Sequence, residues 1–251
     1  MAMSVAGIDK LYLNDMNEER LQETKKIVEE LKLDNTPEII LHPADVSCPL
    51  DMGEMFKKID RLDYAINCAA TLGPTKPILE MSLSEFDNLT DVNYRGAWIC
   101  MKEELKCMLK NDIRPYKAFG LTAEESEKRG QRGAIVNITS KPGVFTTDSM
   151  GTYKASEAAL TTLTKAIERD YGTPDRRIRV NAVCPGVVDT PSSQDLNKEQ
   201  GEEMDRVIKN TPVGRLGFAS EVADVVVFLC SGESSFIAGC DLYVDGGHQT
   251  T

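Results

Sequence analysis

Three residues of this chain have types and spacing that could do chemistry: Ser140, Tyr153 thirteen positions later, and Glu157 four positions beyond the tyrosine. The run from Gly151 to Leu160 reads as the opening of a helix. Residues four apart on a helix share a face, so Tyr153 and Glu157 look into the same space. Lys154 is one step further on, about 100° around the axis, and cannot stand in their plane. A tyrosine beside a carboxylate can pass a proton, with a serine hydroxyl nearby to hydrogen-bond the acceptor. The carboxylate also disfavours the phenolate. At 4 Å and an effective dielectric of 20, one such like-charge interaction is worth about 4 kcal/mol. Read by itself, Ser140 is a strand-end hydroxyl satisfying local backbone, and only its spacing to Tyr153 makes it a site candidate.

The elements that must position these groups follow from alternating patterns. Short apolar runs rich in branched residues predict strands near Lys10–Asn14, Glu38–His42, Tyr64–Asn67, Ala134–Ile138, Arg179–Val183 and Asp241–Val244. Longer periodic stretches predict helices over Asn17–Leu33, Pro49–Ile59, Ser82–Leu109, Gly151–Tyr171, Lys198–Lys209 and Ser220–Ser231. Strand and helix alternate, which is the pattern of a parallel sheet covered by helices, an α/β fold. Ser82-Leu83-Ser84-Glu85 is a capping box, and Ser220-Glu221 gives the last helix an acidic first turn. Lys25 and Lys26 precede Glu29 and Glu30 by four residues, the outer face of a helix. Asn111 to Arg132 is polar and punctuated by Gly and Pro, and is expected as a surface insertion in a single domain spanning residues 1–251.

Composition excludes several classes of function. The net charge of −11 repels phosphate backbones and anionic membranes, so neither nucleic acid nor a membrane surface is an expected partner. No apolar run is long enough to span a bilayer, and Met1 to Gly7 lacks a signal core, which places the chain in the cytoplasm. Seven cysteines without a C-x-x-C pair, and only two histidines, suggest buried free thiols and no metal site. Cys184 precedes Pro185 near the expected site, but His42 and His248 lie elsewhere and nothing activates it as a nucleophile.

Seven motifs then occur in one order: Asp45-Val46; Asn67-Cys68-Ala69-Ala70; Val92-Asn93-Tyr94-Arg95-Gly96; Ile135 to Ser140; the tyrosine helix; Arg179 to Gly186 with Asp189-Thr190; and Val244-Asp245-Gly246-Gly247. Together, from about Leu11 to Gly247, they resemble the short-chain dehydrogenase/reductase family. The insertion resembles that of fungal members serving secondary metabolism. The resemblance implies a Rossmann-like, doubly wound parallel sheet and an oxidoreductase, linked to NAD or NADP, that interconverts a ketone and a secondary alcohol on a small molecule. It implies that Ser140 hydrogen-bonds the substrate carbonyl, that Tyr153 is the acid–base group, and that Asn93 supports a water relay, although a buried asparagine bonded to backbone is an equal account. It also implies cofactor contacts from Asp15 to the adenine-side ribose, Asp45 and Val46 to adenine, Asn67 along the ribose, and Val188 and Thr190 to the carboxamide. Asp15 favours NAD over NADP, since an acid there repels a 2′-phosphate. A homodimer or homotetramer is implied, built on the long helices.

Two departures from the family pattern stand out. The family's opening strand and glycine-rich turn are expected to be lacking, since Leu11–Asn14 matches the second strand and Gly7 stands alone in Met1–Lys10. Loss of that strand leaves two open sheet edges or forces a new pairing. The second departure is Glu157, which occupies the place of the family lysine that favours the phenolate and holds the ribose. Lys141, next to Ser140, is the cation closest in sequence to a replacement role. These departures keep two alternatives open: a non-catalytic or cofactor-free homologue serving as partner subunit or scaffold, and a lyase or isomerase moving protons with Tyr153, Ser140 and Glu157. Substrate choice is expected to lie in Pro191 to Thr211, read as a mobile lid.

Overall fold

Each apolar run expected as a strand forms one, and every ladder the strands build is parallel. The structure is a computed structural model describing residues 1–140, 149–191, 193–194 and 201–248. A short helix α1 (Ala2–Val5) leads through Gly7, with φ +85, into β1 (Lys10–Asp15). Then follow α2 (Glu18–Glu30), β2 (Glu38–Pro43), α3 (Pro49–Phe56), β3 (Tyr64–Asn67), α4 (Leu83–Thr90), a π-helical turn (Asp91–Gly96) and α5 (Ala97–Met108). The second half contains α6 (Ala123–Lys128), β4 (Gly133–Ile138), α7 (Gly151–Tyr171), β5 (Ile178–Pro185), β6 (Val188–Asp189), α8 (Gly201–Asn210), β7 (Gly217–Phe218), α9 (Ala219–Cys230) and β8 (Asp241–Val244).

The strands form separate ladders. β1 pairs in parallel with β2, from Lys10 opposite Glu38 to Asp15 opposite Pro43. A second ladder runs β3-β4-β5-β8, and β6 with β7 forms a two-residue ribbon. A cavity of about 1540 Å³ lies between the first two ladders, lined by all of β1 and all of β3. β4 and β5 are buried almost throughout, as central strands covered on both faces should be. Helix α5 turns Ala97, Met101, Leu105 and Met108 onto this ladder, where they pack with Ile135, Leu160, Ile178 and Val180. A second cluster joins α3 to α5 through Met52, Met55, Phe56, Ile99 and Cys100, and a third sets α9 against Val136 and Val183. Each fully buried Leu, Ile or Met in these clusters contributes roughly 1.5–3 kcal/mol.

Several boundaries differ from the sequence expectation, each for a local reason. The long helix expected over Ser82–Leu109 is interrupted by the π-turn, where the chain draws close to its neighbour: a Cβ on Gly96 would lie 2.9 Å from Val46 Cγ2. π-turns of this kind insert one extra residue and re-aim side chains. The helix expected to Leu33 stops at Glu30, with Lys32 at φ 48, and that expected to Ile59 stops at Phe56. Ser82 caps α4 through the full capping box with Glu85. The last helix begins one residue earlier than expected, its N-cap being Phe218, whose N–H donates to Glu221 at 2.7 Å. The insertion, expected as a surface excursion, holds a helix of its own, α6, because Thr122 and Glu125 form a capping box at its start. Lys25 and Lys26 do meet Glu29 and Glu30, at 3.9 Å each. Of the expected helix Lys198–Lys209, residues 198–200 lie outside the described residues, as does most of the first part of the expected lid.

One buried guanidinium ties the layers together. Arg179 on β5 donates to the carbonyls of Leu229, Ser231 and Ile237 and to Gln131 Oε1, so the end of α9 and the end of the insertion are fixed to a central strand. No helix among the described residues is long and apolar enough to cross a membrane.

Candidate active site

Helix α7 buries Ser156, Glu157, Leu160, Thr161 and Thr164, a stripe repeating every three to four residues. That register decides which charged side chain enters the protein: Glu157 is 3% exposed, while Lys154 sits off the stripe. Tyr153 opens the same helix, and Ser140 ends the segment after β4, so a strand terminus and a helix start converge on one point. There Ser140 lies near both groups, its hydroxyl lowering the Tyr153 phenol and its backbone N–H lowering the Glu157 carboxyl. The three residues singled out by spacing are thus one contiguous cluster.

Electrostatics in the cluster oppose ionisation of the phenol. Burial, then the Glu157 charge, pushes Tyr153 from its ordinary 10.0 up to about 12, against a smaller downward pull from the Ser140 hydroxyl. Burial also raises Glu157 from 4.5 to about 7, partly offset by the Lys154 charge and the Ser140 N–H. Lys154 Nζ lies 5.9 Å from the centre of the Tyr153 ring. Its charge lowers the Glu157 carboxyl. Lys141 falls outside the described residues.

Asn93, on the π-turn, is fully enclosed and adopts the backbone-bonded role. Its Oδ1 accepts from Thr71 N–H at 2.8 Å and its Nδ2 donates to Thr71 O at 2.9 Å. The same Nδ2 reaches Ser156 Oγ at 3.3 Å and Glu157 Oε1 at 3.4 Å, which joins the loop after β3 to the α7 cluster.

A second group gathers on the cavity between β1 and β3: Asp15, Asp45, Val46 and Asn67 all line it. Asp15 Oδ1 accepts from Asn17 N–H, and Asp45 Oδ1 accepts from the N–H and hydroxyl of Ser47, each at 2.8 Å. A carboxylate has about four acceptor positions, so both retain capacity for ligand hydroxyls. Asn67 is already engaged inward, donating to Asn137 Oδ1 at 2.9 Å and to Glu104 Oε2 at 3.2 Å. Asn137 in turn donates to Thr164 on α7. A polar chain therefore connects the cavity wall to α7.

Cys68 links the two groups, since it lines the cavity and its thiol is pushed up by desolvation and then by the Glu157 charge. It is an exposed residue, unlike the buried Cys100, Cys107, Cys184 and Cys230. Cys184 faces Thr139 Oγ1 at 3.1 Å and its thiol is raised to about 11, the condition of a structural thiol. Val188 lies in the short strand paired with Gly217, and Thr190 caps the next turn with Ser193, so neither joins the cavity group. No group of three or more potential ligands for a metal ion occurs among the described residues.

Glu104 escaped the sequence reading. It is 4% exposed, lies on the cavity wall, and is pushed by burial from 4.5 up to about 8, with Asn67 opposing. Its signal was present: it falls on the helical stripe that Ala97, Met101 and Met108 otherwise fill with apolar side chains.

Comparison with known proteins agrees with this geometry. A family model described as Enoyl-(Acyl carrier protein) reductase matches residues 2–249. A short-chain dehydrogenase of Neurospora crassa, srdC, is 36% identical over 191 residues, 75% of this chain and 67% of that protein. The crystal structure of a levodione reductase aligns with TM-score 0.81 at 27% identity, covering all of this chain and 93% of the other. A protein from Agrobacterium tumefaciens solved with bound NADP aligns with TM-score 0.78 at 21% identity, covering all of this chain and 89% of that one.

Proposed function

Starting from the fact that this chain belongs to the short-chain dehydrogenase/reductase family, we propose that it is an oxidoreductase interconverting a ketone and a secondary alcohol on a small molecule. The observation that carries the reading is the gathering of Ser140 and Tyr153 beside the buried Glu157, where a strand terminus meets the start of α7. A nicotinamide dinucleotide, when bound, supplies or receives the hydride. The residues present fit its adenosine side: Asp15 and Asp45 offer acceptors for hydroxyls and the exocyclic amine, and Val46 an apolar wall, on a cavity of about 1540 Å³. NAD is favoured over NADP by Asp15. A homodimer or homotetramer in the cytoplasm acting on a secondary metabolite completes the proposal.

Within this reading Ser140 donates to the substrate oxygen and orients it. Tyr153, with its phenol at about 12, stays protonated at neutral pH and gives its proton to the oxygen as negative charge develops there. The opposite direction needs a phenolate, which burial and Glu157 both disfavour, so reduction is the supported direction. Glu157, titrating near 7, takes the place of a cation and accepts a hydrogen bond from Asn93 and, in the complex, from ribose hydroxyls. The partner-subunit and lyase alternatives draw on Glu157 and gain nothing from the named relatives.

The test is consumption of NADH and NADPH with a panel of ketones by the purified chain, by Tyr153→Phe and by Glu157→Lys. Tyr153→Phe should lower the rate by about 10² or more, and Glu157→Lys should raise it above the parent. Equal rates for parent and Tyr153→Phe would remove the reading.

A further inference from the structure

Among the described residues two carboxyl side chains are buried, Glu157 and Glu104, and the proposed reaction uses only the first. Glu104 is unfavourable where it stands. It lies on the α5 stripe otherwise filled by Ala97, Met101 and Met108, and burial pushes it up to about 8, so at neutral pH it is mostly a neutral acid. An apolar side chain would fill the same place without that penalty. What the carboxyl does there is accept. Its Oε2 takes a hydrogen bond from Asn67 Nδ2 at 3.2 Å, and the same Nδ2 also donates to Asn137 Oδ1 at 2.9 Å. The polarity of this chain is fixed from its far end. The Leu160 carbonyl can only accept, so Thr164 Oγ1 donates to it at 2.8 Å and takes a bond from Asn137 Nδ2, also at 2.8 Å. Asn137 must therefore turn its oxygen to Asn67, and Asn67 must turn its nitrogen inward to both acceptors. The Asn67 carbonyl is left as the polar atom which that side chain can offer on the cavity wall.

We propose that Glu104 is a positioning residue for the dinucleotide: by holding the second N–H of Asn67 from α5, it sets the Asn67 carbonyl to accept a ribose hydroxyl. The inference rests on the nicotinamide reading given above. With Asn137 as its sole acceptor, Asn67 would keep one N–H without a partner inside the protein, and the side chain would turn to recover one. Glu104 removes that freedom, and it does so from a helix, an element rigid enough to fix an angle. A neutral acid suits the place. The wall already carries Asp15 and Asp45, and a further negative charge there would oppose the phosphates of an incoming dinucleotide.

The experiment is calorimetric titration of the whole chain with NADH, for the parent, Glu104→Gln and Glu104→Leu, with the Asn67 side-chain amide followed by NMR in the absence of nucleotide. Gln keeps an acceptor for Asn67 and carries no charge, whereas Leu fills the volume and removes the acceptor. Glu104→Met is a second such variant, should Leu pack too poorly to fold. Glu104→Leu should raise the NADH Kd by about tenfold or more and move the Asn67 amide signals, and Glu104→Gln should stay within about twofold of the parent. In an Asn67→Ala background Glu104→Leu should have no further effect, because it acts through that amide. Parental NADH affinity in Glu104→Leu, an equal loss in Glu104→Gln, or additive losses in the double variant would each overturn the inference while leaving the nicotinamide reading in place. Absence of NADH binding by the parent overturns that reading, and the ligand assigned here with it. The amide readout needs no nucleotide, so Asn67 signals unmoved in Glu104→Leu overturn the positioning role whether or not NADH binds.

Discussion

Replacing Glu157 with Gln removes a charge the fold does not accommodate easily, and the consequence is a change in how stability depends on pH. In the folded state the carboxyl titrates at about 7, against 4.5 ordinarily. A raised carboxyl binds its proton more tightly when folded, so between these two values unfolding releases a proton and stability falls as pH rises. Integrating from pH 5 to pH 8 gives a loss of about 2.5 kcal/mol attributable to this group. Below pH 4.5 the carboxyl is protonated in both states and contributes no pH dependence; above 7 the loss is complete. Urea unfolding of the parent and of Glu157→Gln at pH 5 and pH 8 isolates the term, because slopes from other groups cancel in the difference. The variant should lose about 2.5 kcal/mol less than the parent between these pH values. Identical losses in the two proteins would refute the claim that Glu157 is buried uncharged-to-anionic beside Tyr153.

Other outcomes follow from single groups. Glu104→Gln should be more stable than the parent above pH 8, because Glu104 titrates at about 8 and its ionisation is likewise opposed by burial; thermal melts at pH 6 and 9 measure the crossover. Arg179→Ala strips donors from three buried or half-buried carbonyls and should cost about 3 kcal/mol or more in urea unfolding. Ser82→Ala breaks the α4 capping box and should cost about 1 kcal/mol, read by the same assay.

The strands and the catalytic helix were legible because their signals are local. The apolar runs of β4 and β5 are continuous, and Gly151–Tyr171 was placed with its observed bounds. The four-residue spacing of Tyr153 and Glu157 kept the two side chains near one another because a helix face is a fixed geometric relation. What sequence did not reveal depended on distant neighbours. At the π-turn Gly96 sits against Val46, fifty residues earlier, and the engagement of Asn67 with Asn137 and Glu104 requires three elements to be in register. Val188 and Thr190 were assigned by motif, and their observed partners are local ones that the motif does not encode.

Binding of the dinucleotide is the step on which the proposed activity depends, and calorimetric titration of the purified chain with NADH and with NADPH measures it directly. The account predicts saturable heat with NADH, weaker with NADPH, and tighter NADH binding in Glu157→Lys. Absence of heat from both nucleotides up to about 1 mM, a level at which even weak millimolar binding is detectable, would contradict it.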